Sequence, residues 1–555
     1  MGVKIVRILF VFFMLITLTP NLLAVEYTNL VRVGITDNNF QNVLRQNVTI
    51  YATADADICD KQTRQRLIHV PANSDIYITN SLSGLSVKVG DQSANLRDFV
   101  LYSPTGLVGI RDLKRKGLPA VYHGVFEIVQ TQMHNGFYVI NLVELQDYLK
   151  GVVPNEMPVK FGLEALKAQT IAARNYVLSP RTQAYEEFNV VDSVASQVYF
   201  GANTEADIAT QAVIETDGIV ALYNNELILT LYSSTAGGYT ESYAYAFSDP
   251  NTKQFPSISK PYLVATPDKP DFKNLNNEDS ARDFYTSKVP SYDIESPYYR
   301  WQKVWAVGEL ENILKKTLVT QSKTGFISPA FNQGDALGEI KDIKVMRRGN
   351  SGKVIELDLM TTKGCYRISK ELVIRRVFQK DGISLPSANI VFNLSTDNYG
   401  NVTDIAILGG GFGHGVGMSQ FGAGYMAMKL NQPYYNILRH YYKGISLGTM
   451  PVEVSNNSVP QTFWAPIGRA QIIVYGQNVP SIKVLINGKE HNFETNKGFF
   501  QKEIKIDISR FIEDGSNNIV FLPSSTSYNA YVEVIEAYSS NIAEEKEDIK
   551  KDDNN

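Results

Sequence analysis

The residue of this sequence best suited to move a proton is Glu156. It is framed by Pro154, Met157 and Pro158, with Val152 and Val153 just before it. Each proline sets its own φ and biases the preceding residue away from helix, so the frame reads as a rigid loop. A carboxyl held among apolar neighbours has its charged form disfavoured, and its pKa rises towards neutrality. A general acid working at neutral pH needs that property. The plain alternative is a surface Glu in a loop before a helix. The loop runs into a segment that carries Arg174, 18 residues further on.

Two other stretches are candidates for binding. Tyr232-Ser-Ser-Thr-Ala-Gly-Gly-Tyr-Thr-Glu241 offers the hydroxyls of Ser233, Ser234 and Tyr239 beside paired glycines, which suits a polar ligand such as a sugar. A plain turn is the alternative. The stretch 409–424 holds eight glycines in sixteen residues, with His414 and Gln420 among them. Glycine density lets a backbone approach another chain or a ligand closely. No frame in it gives G-x-G-x-x-G, and Ser419 is not in G-x-S-x-G, so a dinucleotide loop and a nucleophile elbow are both excluded. His414 has no second His, Cys or carboxylate beside it at metal-ligand spacing, so no metal is expected. A substrate-facing or loop-ordering imidazole is the reading that remains. His414 and Gln420 therefore join Ser233, Ser234 and Tyr239 as candidate substrate contacts.

The elements that must hold these residues follow from periodicity. Val31-Arg-Val-Gly-Ile35, Asp75-Ile-Tyr-Ile-Thr79 and Leu85-Ser-Val-Lys-Val89 alternate as half-buried strands do. The segment Leu163–Leu178 is rich in Ala, Leu, Lys and Gln, lacks internal Gly or Pro, and precedes Pro180: a helix. Strands on either side of Asn224-Asn225 read as a hairpin. The polar, Pro- and Tyr-rich stretch 249–296 reads as a long loop or insertion, and Tyr434–Tyr442 as a helix. Beyond Pro460 five or more short strands suggest a β-sandwich.

The fold class expected is thus α+β: a β-rich N-terminal region, a mixed α/β catalytic core and a small C-terminal β-sandwich. The divisions expected are 1–24, 25–117, 118–450, 462–540 and a charged tail, 541–555. Lys4 and Arg7 followed by an apolar run to Leu18 mark 1–24 as a secretory signal ending at Ala24, or as a retained anchor. Export places the chain outside the cytoplasm. A net charge of −4 over 555 residues gives no reason to expect nucleic acid. Only Cys59 and Cys365 are present, too few for a Cys₄ zinc site or a disulfide framework.

Taken together, Asp147–Pro158, Glu164–Tyr176, Ser233–Glu241 and Gly413–Ala423 resemble, in order, the motifs of the stage II sporulation protein D family, which includes amidase enhancers. The resemblance spans roughly 118–448. It implies a lytic transglycosylase that cuts the MurNAc-β-1,4-GlcNAc linkage of peptidoglycan, preferring strands stripped of stem peptides, with 1,6-anhydro-MurNAc products. It places that family's catalytic acid on Glu156 and its helix arginine on Arg174. A guanidinium at 174 could bind the lactyl carboxylate of a peptide-free muramic acid, or form a salt bridge within the fold. Some relatives bind zinc through cysteines near the cleft; the cysteines here lie outside the matching stretches, so no cofactor is expected. Partners implied are glycan strands and an N-acetylmuramoyl-L-alanine amidase. Two rival readings remain: a non-catalytic wall-binding amidase enhancer, and an adhesin that works through the β-sandwich.

Overall fold

Alternating apolar residues build the first half of the chain as the sequence leads one to expect. The computed structural model describes residues 29–179, 186–476, 479–495 and 503–536. The expected signal segment and the charged tail from 541 lie outside them. Two antiparallel-rich sheets form the N-terminal part. One is centred on Phe137–Glu144, paired with Leu30–Gly34 and Val125–Gln130; the other runs through Val108–Arg115, Asn47–Ala52 and Ile76–Ser81. Their inward residues, such as Ile58, Phe99 and Phe126 from one and Ile50, Ile78 and Val87 from the other, share one core. The boundary expected at 117 falls inside a hairpin between Val108–Arg115 and Leu118–Tyr122.

The strand Phe137–Glu144 runs directly into helix α1 (Leu145–Glu156). This corrects the proline-fixed loop expected around Glu156. Pro154 sits in the last turn, where Asn155 Nδ2 donates to the Gly151 carbonyl at 2.7 Å and the Met157 N–H closes the helix on Val153 at 3.0 Å. Pro158 then stops it, holding Met157 extended at φ −123° and ψ 132°. Helix α2 (Leu163–Leu178) has the bounds its composition predicts and is buried along most of its length. Its polar residues face inward for a reason. Asn175 exchanges hydrogen bonds with the backbone of Ala221, donating at 2.7 Å and accepting at 2.8 Å. Thus α2 clamps the strand Val220–Tyr223, which follows α3 (Asp207–Ile214). Asn224 and Asn225, both at positive φ, turn that strand back onto Glu226–Leu227.

The stretch expected to be loop contains α4 (Glu278–Thr286), whose N-cap Asn277 accepts the Ser280 N–H at 2.9 Å. Residues 301–409 then form a unit with its own core. Strands Trp301–Ala306, Val402–Gly409 and Ile390–Thr396 make one sheet, and Ile340–Arg348, Val354–Thr361 and Gly364–Ser369 are the main strands of another. Helices α5 (Val307–Ser322) and α6 (Glu371–Val377) pack with them around Trp305, Leu314, Leu357 and Ile407. The chain returns through the glycine run to α7 (Gln420–Lys429) and α8 (Tyr434–Tyr441), both buried in the main core.

The C-terminal strands do form two sheets. One is Val459–Ala465, Gly515–Phe521, Ser481–Ile486 and Lys489–Glu494. The other is shared: Ala470–Tyr475 pairs with Tyr528–Val534, which pairs with Ser446–Gly448, which pairs with Val220–Tyr223. The C-terminal strands therefore continue the sheet that α2 clamps. Cys59 and Cys365 are free thiols, in different sheets.

Candidate active site

Four segments converge on the Glu156 carboxyl. It ends α1, half-buried, and its Oε1 accepts the Val198 N–H at 2.6 Å. The side chains of Tyr232 and Gln420 also hydrogen-bond to it. Tyr232 begins the short strand Tyr232–Ser233, which pairs in parallel with Met418–Ser419, and Gln420 is the first residue of α7. That pairing is what brings the second and third motifs to the end of α1.

A relay of amides and phenols fixes the donors. Tyr148 donates to Gln197 Oε1 at 3.0 Å, and Gln197 Nε2 donates to Tyr232 Oη at 2.9 Å. Because the Tyr232 oxygen accepts from Gln197, its own proton is directed at Glu156. Gln420 Nε2 donates to Gln169 Oε1 at 3.3 Å. Burial pushes the Glu156 pKa from 4.5 up to about 7, and the hydrogen bonds from Val198, Tyr232 and Gln420 only partly oppose it. A carboxyl so placed can give a proton near neutral pH and, once ionised, finds three donors in place.

Close backbone contacts explain the glycines. A Cβ on Gly413, at φ 107°, would stand 2.8 Å from the Ser233 Cβ. The run lies against residues 231–235: Met418 N–H donates to the Leu231 carbonyl at 3.0 Å and Phe421 N–H to that of Ser234 at 3.1 Å. Ser419 caps α7, accepting the Gly422 N–H at 3.2 Å and donating to Asp293 Oδ1 at 2.5 Å. Asp293 and its neighbour Asp268 are both fully buried, and burial raises the pKa of each.

The other expected contacts divide. Ser233 is buried against the glycine run, and Ser234 is half-buried beside it. His414 is half-buried, its ring 5.3 Å from that of Phe247; its Nδ1 accepts the Val416 N–H at 3.0 Å, which puts the ring proton on Nε2. Arg174 does not join the group. It is only 2% exposed, and its Nη1 donates to the Ile219 carbonyl at 2.9 Å while Nη2 reaches Gln146 at 3.5 Å. Burial lowers its pKa to about 10. A guanidinium enclosed in this way holds α2 to the strand below it and presents no surface to a glycan. Tyr239 is also elsewhere, buried with Phe284 and Tyr285.

Sequence reasoning did not pick out Val198 or Gln197, which stand outside every motif; Tyr148, Gln169 and Tyr232 lay within motifs without being chosen. Glu241, which closes the second motif, is fully buried, its Oε2 accepting the Ser351 hydroxyl at 2.7 Å. Glu164 is held by Lys167 at 2.9 Å and caps the Tyr434 N–H at 2.8 Å. Both carboxylates are thus engaged away from Glu156.

Residues 133–223 match the family model SpoIID, Stage II sporulation protein. Residues 249–417 match a second model, described as a domain of unknown function (DUF8618), which takes in α4, the unit 301–409 and the start of the glycine run. Among individual proteins, the chain is 30% identical over 300 residues to the amidase enhancer of Bacillus subtilis, covering 54% of this chain and 40% of that protein. It is 29% identical over 321 residues to stage II sporulation protein D of the same organism, covering 55% of this chain and 74% of that one. An uncharacterized protein of Brachyspira hyodysenteriae is 28% identical over 311 residues, covering 56% and 68%. The chain thus spans well under half the length of the amidase enhancer. At residues 133–223, the stretch that contains α1, α2, Glu156 and Val198, it carries a domain of the stage II sporulation protein family.

Proposed function

We infer that this chain acts on the cell wall, outside the cytoplasm, as a peptidoglycan lytic transglycosylase. The observation that carries the reading is the single carboxyl of Glu156, with its pKa near 7 and its three converging donors. In the reaction we assign to it, Glu156 protonates the glycosidic oxygen as the MurNAc–GlcNAc bond breaks, so the GlcNAc-bearing chain leaves as an alcohol. The muramyl C1 gains oxocarbenium character. Glu156, now a carboxylate stabilised by Val198, Tyr232 and Gln420, takes the proton from the muramyl 6-hydroxyl as that oxygen bonds to C1. The products are a 1,6-anhydro ring and a new GlcNAc end, with no water consumed. One carboxyl suffices for both steps, whereas a hydrolase of ordinary type uses two. Engagement of Glu164 and Glu241 elsewhere supports the one-carboxyl route.

The rival reading, a wall-bound stimulator of an amidase, draws on the name of the Bacillus subtilis amidase enhancer. Peptidoglycan stripped of stem peptides, incubated with the protein and with its Glu156→Gln variant, separates the two. Anhydro-muramyl products from the first protein alone support the transglycosylase. Reducing ends without anhydro sugar mean hydrolysis, and amidase stimulation that survives Glu156→Gln, with no glycan cut, means the rival.

A further inference from the structure

Tyr298 and Phe412 pack ring against ring, centroids 4.4 Å apart and planes tilted by 34°, and are 38% and 40% exposed. Single exposed rings are ordinary on protein surfaces; a contacting pair on a pinned backbone is not. Phe412 exchanges backbone hydrogen bonds with Thr235, donating at 2.8 Å and accepting at 3.3 Å. The neighbouring Gly411 donates to the Tyr298 carbonyl at 2.8 Å and accepts the Trp301 indole N–H at 3.0 Å. The rings are therefore rigidly presented and wet.

Their position relative to Glu156 is set by one short stretch of chain. Tyr232 hydrogen-bonds the acid, and Thr235, three residues on, holds Phe412. Three residues of even fully extended chain span about 10 Å at most, so the platform and the acid lie within reach of one oligosaccharide. A pyranose ring has an apolar C–H face that suits an aromatic surface, while its hydroxyls stay in water.

We propose that Tyr298 and Phe412 form a sugar-stacking subsite that holds a pyranose ring of the glycan strand away from the bond presented to Glu156. This rests on the reading of Glu156 as the acid acting on glycan. Tyr298 and Phe412 both lie in the region 249–417 matched by the second family model, outside the residues 133–223 matched by the first.

Binding and cleavage test it separately. Purified peptide-stripped glycan strands are co-sedimented with the Glu156→Gln protein, and with that protein also carrying Tyr298→Ala and Phe412→Ala. The double change is expected to weaken binding about three- to tenfold, with circular dichroism unchanged. The aromatic swaps Tyr298→Phe and Phe412→Tyr should restore it. With Glu156 intact, the same alanine changes should raise KM for long strands more than they lower kcat. Unaltered binding by a folded double variant overturns the subsite, as does loss of amidase binding with glycan binding kept. If the Glu156 protein releases no product, the function reading fails, and the co-sedimentation result still decides the subsite.

Discussion

Replacing Glu156 by Gln removes a titrating proton and keeps the side chain's shape. The folded carboxyl titrates near 7 against an ordinary 4.5, so the folded protein holds that proton more tightly than the unfolded chain does. A raised folded value means the contribution to stability is full below pH 4.5 and is lost as pH climbs through 7. About 2.5 pH units at about 1.4 kcal/mol each give roughly 3 kcal/mol. The side chain is half-buried and meets some water, which trims this to about 1–3 kcal/mol. The amide has no such titration, and its carbonyl can still accept the Val198 N–H. Glu156→Gln should therefore be more stable than the parent by about 1–3 kcal/mol at pH 8 and nearly equal to it at pH 4. Urea unfolding of both proteins at pH 4, 6, 7 and 8 reads the difference directly. Release of anhydro product should fall by at least about 10²-fold in the variant, and the parent's rate should decline above pH 7 as the acid loses its proton. A stability gap that does not change with pH would refute the argument that burial holds this proton. So would a parent pH profile flat through 7.

Removing the Tyr232 hydroxyl with Tyr232→Phe deletes a hydrogen bond that favours the carboxylate, so the alkaline limb of the pH–rate profile should move to higher pH. Arg174→Met strips the donor from the Ile219 carbonyl and should cost about 1–3 kcal/mol in unfolding, with KM for glycan unchanged; a large rise in KM without loss of stability would return Arg174 to the substrate. Ser419→Ala removes the cap of α7 and the partner of Asp293, and should lower stability by about 1 kcal/mol in thermal unfolding. Truncation after Met450 strips Ser446–Gly448 of its Tyr528–Val534 partner, and limited proteolysis should then cut near residue 448.

What the sequence reveals of this site depends on how local its causes are. Helix α2 is legible because its composition and the Gly-Pro boundaries are its own. Glu156 stands out because its apolar neighbours are adjacent in sequence, although its backbone does not: a proline in a helix's last turn forfeits a single bond, to the carbonyl of Lys150, and the helix still closes after it with the Met157 N–H on Val153. Helix α4 is hidden in a Pro-rich stretch whose helical signal is confined to nine residues. The role of Arg174 is set by a carbonyl 45 residues away, and the donors to Glu156 come from 42 or more residues downstream. Such distances leave no periodic trace. The same is true of the C-terminal strands, which read as a separate module because their edge partner, Ser446–Gly448, is too short to signal a strand.

The shared sheet also sets an order of assembly. Ala221 pairs with Leu447, more than two hundred positions later, and Gly448 with Glu533. Those pairings must close long loops before they return any binding energy, so they form slowly. Yet the strand they complete is the one that Arg174 and Asn175 hold beneath α2, and α1 and α2 together carry the acid's surroundings. During synthesis, the residues around Glu156 are made early and finished late. The wall-cutting centre we infer would stay immature until strand 528–534 docks, a delay written into the topology that keeps the site from maturing before the C-terminal strands have been made.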